Sequence, residues 1–260
     1  MSHTSRSESA STWRARRGVA GRWLAERLGV PGVAEYTRRA VEAAGCQTGL
    51  DLGCGVSSHL TALRPKLKTF GVDADAGSIA ESQSLDVHDG YAVADIVTQP
   101  LDELRERLCA ATGHDRFDVV TAYGVIEHLT KRDGWMLLEK CEALANKLVI
   151  LETPNGFVPQ GPEFGNRLQR HLSGWFPCDF QGVGYRVIGT CGTRYLRGYM
   201  GQPRVAAPGA LLFDQIVFGR LLRSGRNPQH AFNLAAIKDV RGVPARYASR
   251  EDFRLGVRAA

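Results

Sequence analysis

The chain has 260 residues, a length that suits one large α/β domain, and its hydrophobic fraction of 43% is ordinary for a globular protein. It has no run of about 18 apolar residues, which argues against a membrane span, and its N-terminus lacks the apolar core of a secretory signal. The six cysteines form no CxxC pair and no zinc-spaced cluster with histidine. We therefore expect reduced thiols, a cytoplasmic location and no metal site.

The formal net charge of +6 is concentrated at the two ends of the chain. Residues 1–18 are rich in Ser and Arg and predict a disordered basic segment, and residues 243–260 predict a basic tail. Basic tails can contact nucleic acid, but most are solvated surface segments, so nucleic acid is not an expected partner. Residues 19–242 predict a single domain that is a monomer or a homodimer.

Two helices, over 19–28 and 33–44, are predicted before the first strand. Strands and helices then alternate, with strands predicted over 48–52, 69–73, 91–95, 117–122 and 147–151. Helices are expected to start at Ser57 and to span 101–110 and 135–145. A sixth strand is predicted over 185–190, a helix over 211–222 and a last strand over 233–240. This alternation predicts an α/β fold with a doubly wound, mostly parallel sheet.

Two insertions, at about 154–184 and 191–232, interrupt the alternation of strands and helices. The first is too long for a simple connection, so it is either a functional lid or a disordered insert. Its scattered aromatic residues favour an ordered segment.

A glycine turn follows the first predicted strand, where residues 50–55 read Leu-Asp-Leu-Gly-Cys-Gly. Such a turn lets the backbone approach a ligand that a Cβ atom would exclude. Asp73, at the end of the second strand, can accept hydrogen bonds from both hydroxyls of a ribose. A dinucleotide fingerprint would need a further glycine where Ser58 stands. The pattern therefore favours a site for the adenosine half of a cofactor.

Two more motifs follow the third and fourth strands. Asp95 could accept from an adenine amine while Ile96 packs against the ring; the alternative is that Asp95 caps a turn or lies at the surface. Tyr123 and Gly124 end the fourth strand, before Ile126-Glu127-His128-Leu129. The carboxyl ends of neighbouring parallel strands share one crevice, where open α/β sheets bind ligands.

With these motifs the sequence resembles the class I S-adenosylmethionine-dependent methyltransferases. The resemblance implies a Rossmann-like sheet of seven strands with an antiparallel last strand. It also implies S-adenosyl-L-methionine as cofactor and methyl transfer as the reaction. One departure is Ser57, which stands where many members have a third glycine. The cofactor-binding residues that we carry over are Asp51, Gly53, Cys54, Gly55, Asp73, Ala74, Asp95, Ile96, Tyr123 and Gly124.

Two histidines are candidates for a catalytic base. His128 follows the fourth strand at the mouth of the expected crevice, and imidazole titrates near neutral pH. The alternative for His128 is a contact with the cofactor or a structural role. His171, in the first insertion, is the second candidate, and the alternative is an ordered loop without catalytic function.

The first insertion also offers polar and aromatic residues that suit an acceptor site, namely Asn155, Gln169 and Trp175. The alternative is that its aromatic residues anchor the loop to the sheet. We expect a small polar acceptor, such as a natural product or a sugar of a glycan precursor, and O-methylation. The competing hypotheses are an RNA methyltransferase, a non-catalytic protein that binds S-adenosylmethionine or a nucleotide, and an NAD-type oxidoreductase.

Overall fold

The computed structural model describes residues 32–162, 166–198, 204, 209–210, 213–214 and 227–242. The segments predicted at 1–18, 19–28 and 243–260 lie outside the described residues, as does most of the helix predicted over 211–222.

Seven strands form one sheet in the order β3-β2-β1-β4-β5-β7-β6. Strands β1 to β5 are parallel to one another, whereas β7 runs antiparallel to both β5 and β6. The expected doubly wound sheet with an antiparallel last strand is therefore confirmed. The strands span Thr48–Leu52 (β1), Lys68–Asp73 (β2), Gly90–Val93 (β3), Phe117–Tyr123 (β4), Ala145–Pro154 (β5), Arg186–Thr193 (β6) and Ala231–Asp239 (β7).

Helices cover both faces of the sheet, because neighbouring residues of the central strands point into two separate apolar clusters. Val119 of β4 packs with the first helix, whereas Val120 packs with the helices that follow β3 and β4. The α-helices span Val33–Ala43 (α1), Ala76–Ser84 (α2), Leu101–Thr112 (α3), Lys131–Leu144 (α4) and Pro177–Gln181 (α5). Short 3-10 helices cover His59–Leu63, Ile126–His128, Arg167–Gln169 and Pro228–His230.

Several predicted boundaries were wrong for local reasons. The helix expected from Ser57 is a five-residue 3-10 helix, and the Ser58 hydroxyl accepts from the Leu60 amide at its start. Strand β3 ends at Val93 because the Asp95 side chain turns the following backbone. Strand β6 runs three residues further than predicted because it continues through an irregularity between Thr190 and Thr193.

The first insertion is packed onto the sheet over its described residues. Trp175 is fully buried, with its ring edge-on to Trp135 at 5.0 Å between centroids. The Lys131 ammonium lies 3.6 Å from the centre of the Trp175 ring, a cation–π contact. Gly134 of α4 leaves room for this ring, because a Cβ there would stand 2.3 Å from Trp175 Cζ2. The prediction that Trp175 belongs to the acceptor site was therefore wrong, since the ring is part of the core.

We predict that Trp175→Ala lowers the free energy of unfolding by about 3–5 kcal/mol, because it leaves a large cavity between α4 and Phe180. Phe176→Ala is the matched control: Phe176 is 45% exposed, so its removal should cost about 1 kcal/mol or less. Urea unfolding followed by circular dichroism measures both values. Equal losses in the free energy of unfolding for the two variants would contradict the burial of the Trp175 ring.

Candidate functional site

The turn after β1 is pinned to the end of β2 by backbone hydrogen bonds. The amides of Gly53 and Cys54 both donate to the Val72 carbonyl, at 2.7 and 3.0 Å. Gly53 has a φ of +68°, and a Cβ there would lie 2.6 Å from Val125 Cγ2. Gly55 also has a positive φ, of +53°, but a Cβ there would meet nothing within 4 Å. Gly53 therefore allows close packing, whereas Gly55 borders open space that a ligand can use.

Asp73 joins this turn to the loop after β2. Its Oδ2 accepts from the Gly55 amide at 2.9 Å, and its Oδ1 accepts from the Asp75 amide at 2.9 Å. A carboxylate offers about four lone-pair positions. Each oxygen of Asp73 thus keeps capacity for a further donor. Ala74, between Asp73 and Asp75, is exposed at the same edge.

Asp51 lies below the turn and is buried. Its Oδ1 accepts from the Thr121 hydroxyl at 2.7 Å. Burial raises the pKa of Asp51 to about 6, although hydrogen bonds from Ser58 and Thr121 act in the opposite direction. The Cys54 side chain turns inward, and its Sγ would stand 2.8 Å from a Cβ on Gly71. Cys54 can therefore offer a ligand only its backbone.

Asp95 and Ile96 follow strand β3, and they differ in exposure. Asp95 Oδ1 accepts from the Val97 amide at 2.9 Å, and its Oδ2 accepts from the Thr98 hydroxyl at 2.7 Å. Asp95 therefore has the turn-capping role that the sequence left open, while its exposed carboxylate keeps free lone pairs. Ile96 is buried.

The end of β4 brings Tyr123 and Gly124 to the same edge. The Tyr123 hydroxyl shares a 2.8 Å hydrogen bond with the Thr37 hydroxyl of α1. Gly124 has a φ of +64°, and its amide donates to the Glu152 carbonyl at 2.9 Å. The Tyr123 side chain is thus engaged with α1, and the backbone at Gly124 is the exposed part.

Glu152 is a residue of this edge that the sequence analysis missed. Its Oε1 accepts from Asn233 Nδ2 at 3.2 Å, and its Oε2 lies 3.9 Å from His59 Nε2. Burial raises the pKa of Glu152. The signal was available, because Glu152 follows an apolar strand just as Asp51 and Asp73 do.

The two histidines proposed as alternative bases lie side by side. The rings of His128 and His171 meet edge-on with centroids 4.8 Å apart. Together with Glu127 they form a cluster in which one nitrogen or oxygen atom from each residue lies within 4.8 Å of the others. We call these three residues the Glu-His-His cluster. A Cβ on Gly124 would stand 3.6 Å from Glu127 Oε1, so the cluster adjoins the turn after β4.

Burial sets the charges of the cluster. It raises the pKa of Glu127 to about 7. It lowers the pKa of both His128 and His171. The neighbouring His171 lowers the pKa of His128 further, against a smaller effect of the Arg170 carbonyl. Both imidazoles are therefore neutral at pH 7, and each has one nitrogen with a free lone pair.

The other predicted acceptor residues have separate places. Asn155 is buried, and its Nδ2 lies 3.1, 3.1 and 2.9 Å from the carbonyls of Pro228, Gln229 and Ala231. This amide fixes the start of β7, so the prediction of a substrate contact was wrong for Asn155. Gln169 is exposed near the cluster, next to Arg170.

Comparisons with known proteins agree with this geometry. Residues 50–151 match the family model of a methyltransferase domain, Methyltransf_12. The matched segment holds the glycine turn, Asp73 and the strands from β1 to β5. The chain therefore contains a methyltransferase domain over these residues. Its cofactor is S-adenosyl-L-methionine.

Several solved structures resemble the methyltransferase, all at low sequence identity. A SAM-dependent methyltransferase from Archaeoglobus fulgidus is 17% identical, with a TM-score of 0.49 and coverage of 80% of this chain and 92% of that chain. The plantazolicin methyltransferase BpumL is 15% identical, with a TM-score of 0.49 and coverage of 89% and 88%. Magnesium protoporphyrin IX methyltransferase from Synechocystis PCC 6803 is 15% identical, with a TM-score of 0.41 and coverage of 59% and 68%. No curated protein matches the sequence.

Among the helices in the described part of the methyltransferase, none combines the length and apolar character needed to cross a bilayer.

A buried histidine behind the turn provides a test of these electrostatics. The His88 side chain is fully buried, and its Nε2 lies 3.9 Å from Asp51 Oδ2. Neither ring nitrogen has a hydrogen-bond partner among the described residues. Burial lowers the pKa of His88 to about 4.

We predict that His88 titrates near pH 4 in the folded protein, measured by NMR of its ring protons and assigned with His88→Gln. Between pH 6.5 and pH 4 the unfolded chain binds a proton at His88 that the folded chain does not, so stability falls as the pH falls. The difference reaches about 2–3 kcal/mol. In His88→Gln the fall in stability over this range should be smaller by that amount. Titration of the folded protein above pH 6 would contradict the burial of the ring.

Proposed function

We propose that the methyltransferase methylates a hydroxyl group of a small polar acceptor, such as a natural product or a sugar of a glycan precursor. The observation that carries the proposal is the position of the Glu-His-His cluster, which adjoins Gly124 at the same sheet edge as Asp73 and Gly55. When bound, S-adenosylmethionine supplies an electrophilic methyl group carried by a sulfonium.

The residues at the turns fit the adenosine part of this cofactor. Asp73 would accept from the ribose hydroxyls, since both of its oxygens keep free lone pairs. Gly55 borders open space, and a backbone next to such space can lie close to the cofactor. Asp95 and Ile96 would flank the adenine, as polar and apolar neighbours respectively. Backbone contacts with the cofactor are proposed for five further residues, namely Gly53, Cys54, Ala74, Tyr123 and Gly124. Asp51 would stabilise the glycine turn without touching the cofactor's ribose.

The Glu-His-His cluster would handle the proton of the acceptor. A hydroxyl must lose its proton as it becomes an ether, and a neutral imidazole can take that proton. One ring nitrogen of His128 and one of His171 each form a hydrogen bond with a backbone carbonyl. The second nitrogen of each ring is therefore left to accept the hydroxyl proton. Gln169, exposed beside the cluster, is the proposed contact with the polar acceptor.

The surroundings of the cluster support a small acceptor. Phe157 and Leu172 are exposed next in sequence to Val158 and His171, at 55% and 50%. They would cover the acceptor and reduce its contact with water. A drier site favours methyl transfer, because the positive charge of the sulfonium is lost in that step.

Nothing in the described residues specifically favours RNA. The free cysteines support a reducing compartment, so we propose a cytoplasmic location. The proposed oligomeric state is a monomer or a homodimer.

We predict that Asp73→Asn weakens binding of S-adenosylmethionine by about 10- to 100-fold, because the amide cannot accept two hydrogen bonds with the strength of a carboxylate. Asp86→Asn is the matched control, since Asp86 is exposed and its positive φ suits asparagine. Isothermal titration calorimetry measures both affinities. Equal affinity for Asp73→Asn and the unaltered protein would contradict the proposed ribose contact.

Activity is tested by incubating the protein with methyl-labelled S-adenosylmethionine and a panel of small hydroxylated compounds. We expect label to appear in at least one hydroxylated acceptor, and none to appear in RNA. Labelled RNA with no labelled small molecule would overturn the proposed substrate class.

A further inference from the structure

We infer that the Glu-His-His cluster is a binding site for one divalent transition-metal ion. Two imidazoles and one carboxylate are the ligands that Zn²⁺ and its first-row neighbours take in open, three-ligand sites. This metal site was not predicted from the sequence, because His171 lies far from the Glu127-His128 pair along the chain.

The distances are close to those that a metal ion needs. One ligand-type atom from each of the three residues lies within 4.8 Å of the other two. A metal ion bonds to imidazole nitrogen at about 2.0–2.1 Å, so side-chain shifts of about 1 Å would close the three atoms around it. Side-chain rotations of this size do not require movement of the backbone.

The outer hydrogen bonds of the two histidines are those typical of metal ligands. His171 Nδ1 donates to the Val158 carbonyl at 2.6 Å, and His128 Nδ1 donates to the Arg170 carbonyl at 3.2 Å. A carbonyl can only accept, so both Nδ1 atoms carry the proton and both Nε2 atoms have a lone pair. Bonds of this kind orient the ring and select the nitrogen that binds a metal.

Glu127 supplies an independent observation. It is 5% exposed, and its Oε2 is buried without a hydrogen-bond partner in the described part of the chain. A buried carboxylate oxygen without a partner is costly, and a bound cation removes that cost. The Glu127 carbonyl accepts from the amides of Leu172 and Ser173, at 2.8 and 3.1 Å. These bonds hold the segment that carries His171 against Glu127.

The three protein ligands would leave at least one coordination position open. At the edge next to Gly124, an open position would bind the acceptor hydroxyl and lower its pKa. In the metal-bound protein both Nε2 atoms would be occupied, so the hydroxyl proton would pass to water rather than to an imidazole. That role in methyl transfer rests on the proposed function, whereas metal binding itself does not.

The experiment is a calorimetric titration of the full-length protein, without an affinity tag, with Zn²⁺ and separately with Mg²⁺. We expect one equivalent of Zn²⁺ to bind with a dissociation constant in the micromolar range or below. Binding of Mg²⁺ should be at least 100-fold weaker, because Mg²⁺ prefers oxygen ligands.

Two variants test the ligands with little change in shape. In His171→Asn the amide can still donate to the Val158 carbonyl but does not reach the metal, and in Glu127→Gln the anionic ligand is lost. Both should weaken Zn²⁺ binding by at least 100-fold. His114→Asn is the control, since His114 precedes β4 at the opposite end of the strand, and it should bind Zn²⁺ as the unaltered protein does.

Co²⁺ provides a second readout, because its visible spectrum reports bound nitrogen ligands and should change in His171→Asn. Circular dichroism and S-adenosylmethionine binding of each variant show whether its fold and cofactor site are retained. A well-folded His171→Asn that binds Zn²⁺ as tightly as the unaltered protein overturns the inference. Binding of S-adenosylmethionine without one tight Zn²⁺ overturns the metal site and leaves the proposed function in place.

Discussion

The hydrogen bond from the Gly55 amide to Asp73 is the interaction on which the site depends. It joins the turn after β1 to the end of β2 at 2.9 Å, and the second Asp73 oxygen holds the Asp75 amide at the same distance. A carboxylate fixed by two backbone donors has a defined position before any ligand arrives. Preorganisation of this kind reduces the entropy that binding must otherwise lose. The glycines around it are required because the turn uses positive φ angles.

The first insertion links the stability of the fold to the geometry of the site. Trp175 anchors it in the core, where its ring contacts α4 and Phe180. A few residues earlier, Leu172 and Ser173 donate to the Glu127 carbonyl, and His171 lies beside His128. Removal of the Trp175 ring is therefore expected to loosen the Glu-His-His cluster as well as the core.

Much of the fold could be predicted from the sequence. The strands from β1 to β5 follow from short apolar runs between turns, and Asp73 follows from its place after the second run. These features are local, so a linear pattern reveals them. The antiparallel β7 came instead from the resemblance to a family, because strand direction depends on a long connection that the pattern does not describe.

The acceptor side of the site was predicted less well. Trp175 and Asn155 have the chemistry of binding residues, yet one is a core ring and the other holds the start of β7. Burial of an aromatic or amide side chain depends on tertiary packing, and residue type alone does not reveal it. His128 and His171 were considered separately, because only the folded chain brings their segments together.

The central claim is that the ends of β1, β2, β3 and β4 form one site for the adenosyl cofactor. Hydrogen–deuterium exchange with and without S-adenosylhomocysteine, the demethylated form of the cofactor, tests it most directly. The account predicts slower exchange at residues 53–55, 73–75, 95–97 and 123–125, with no change at the opposite edge around residues 112–116. Protection confined to other segments, with these four unchanged, would contradict it.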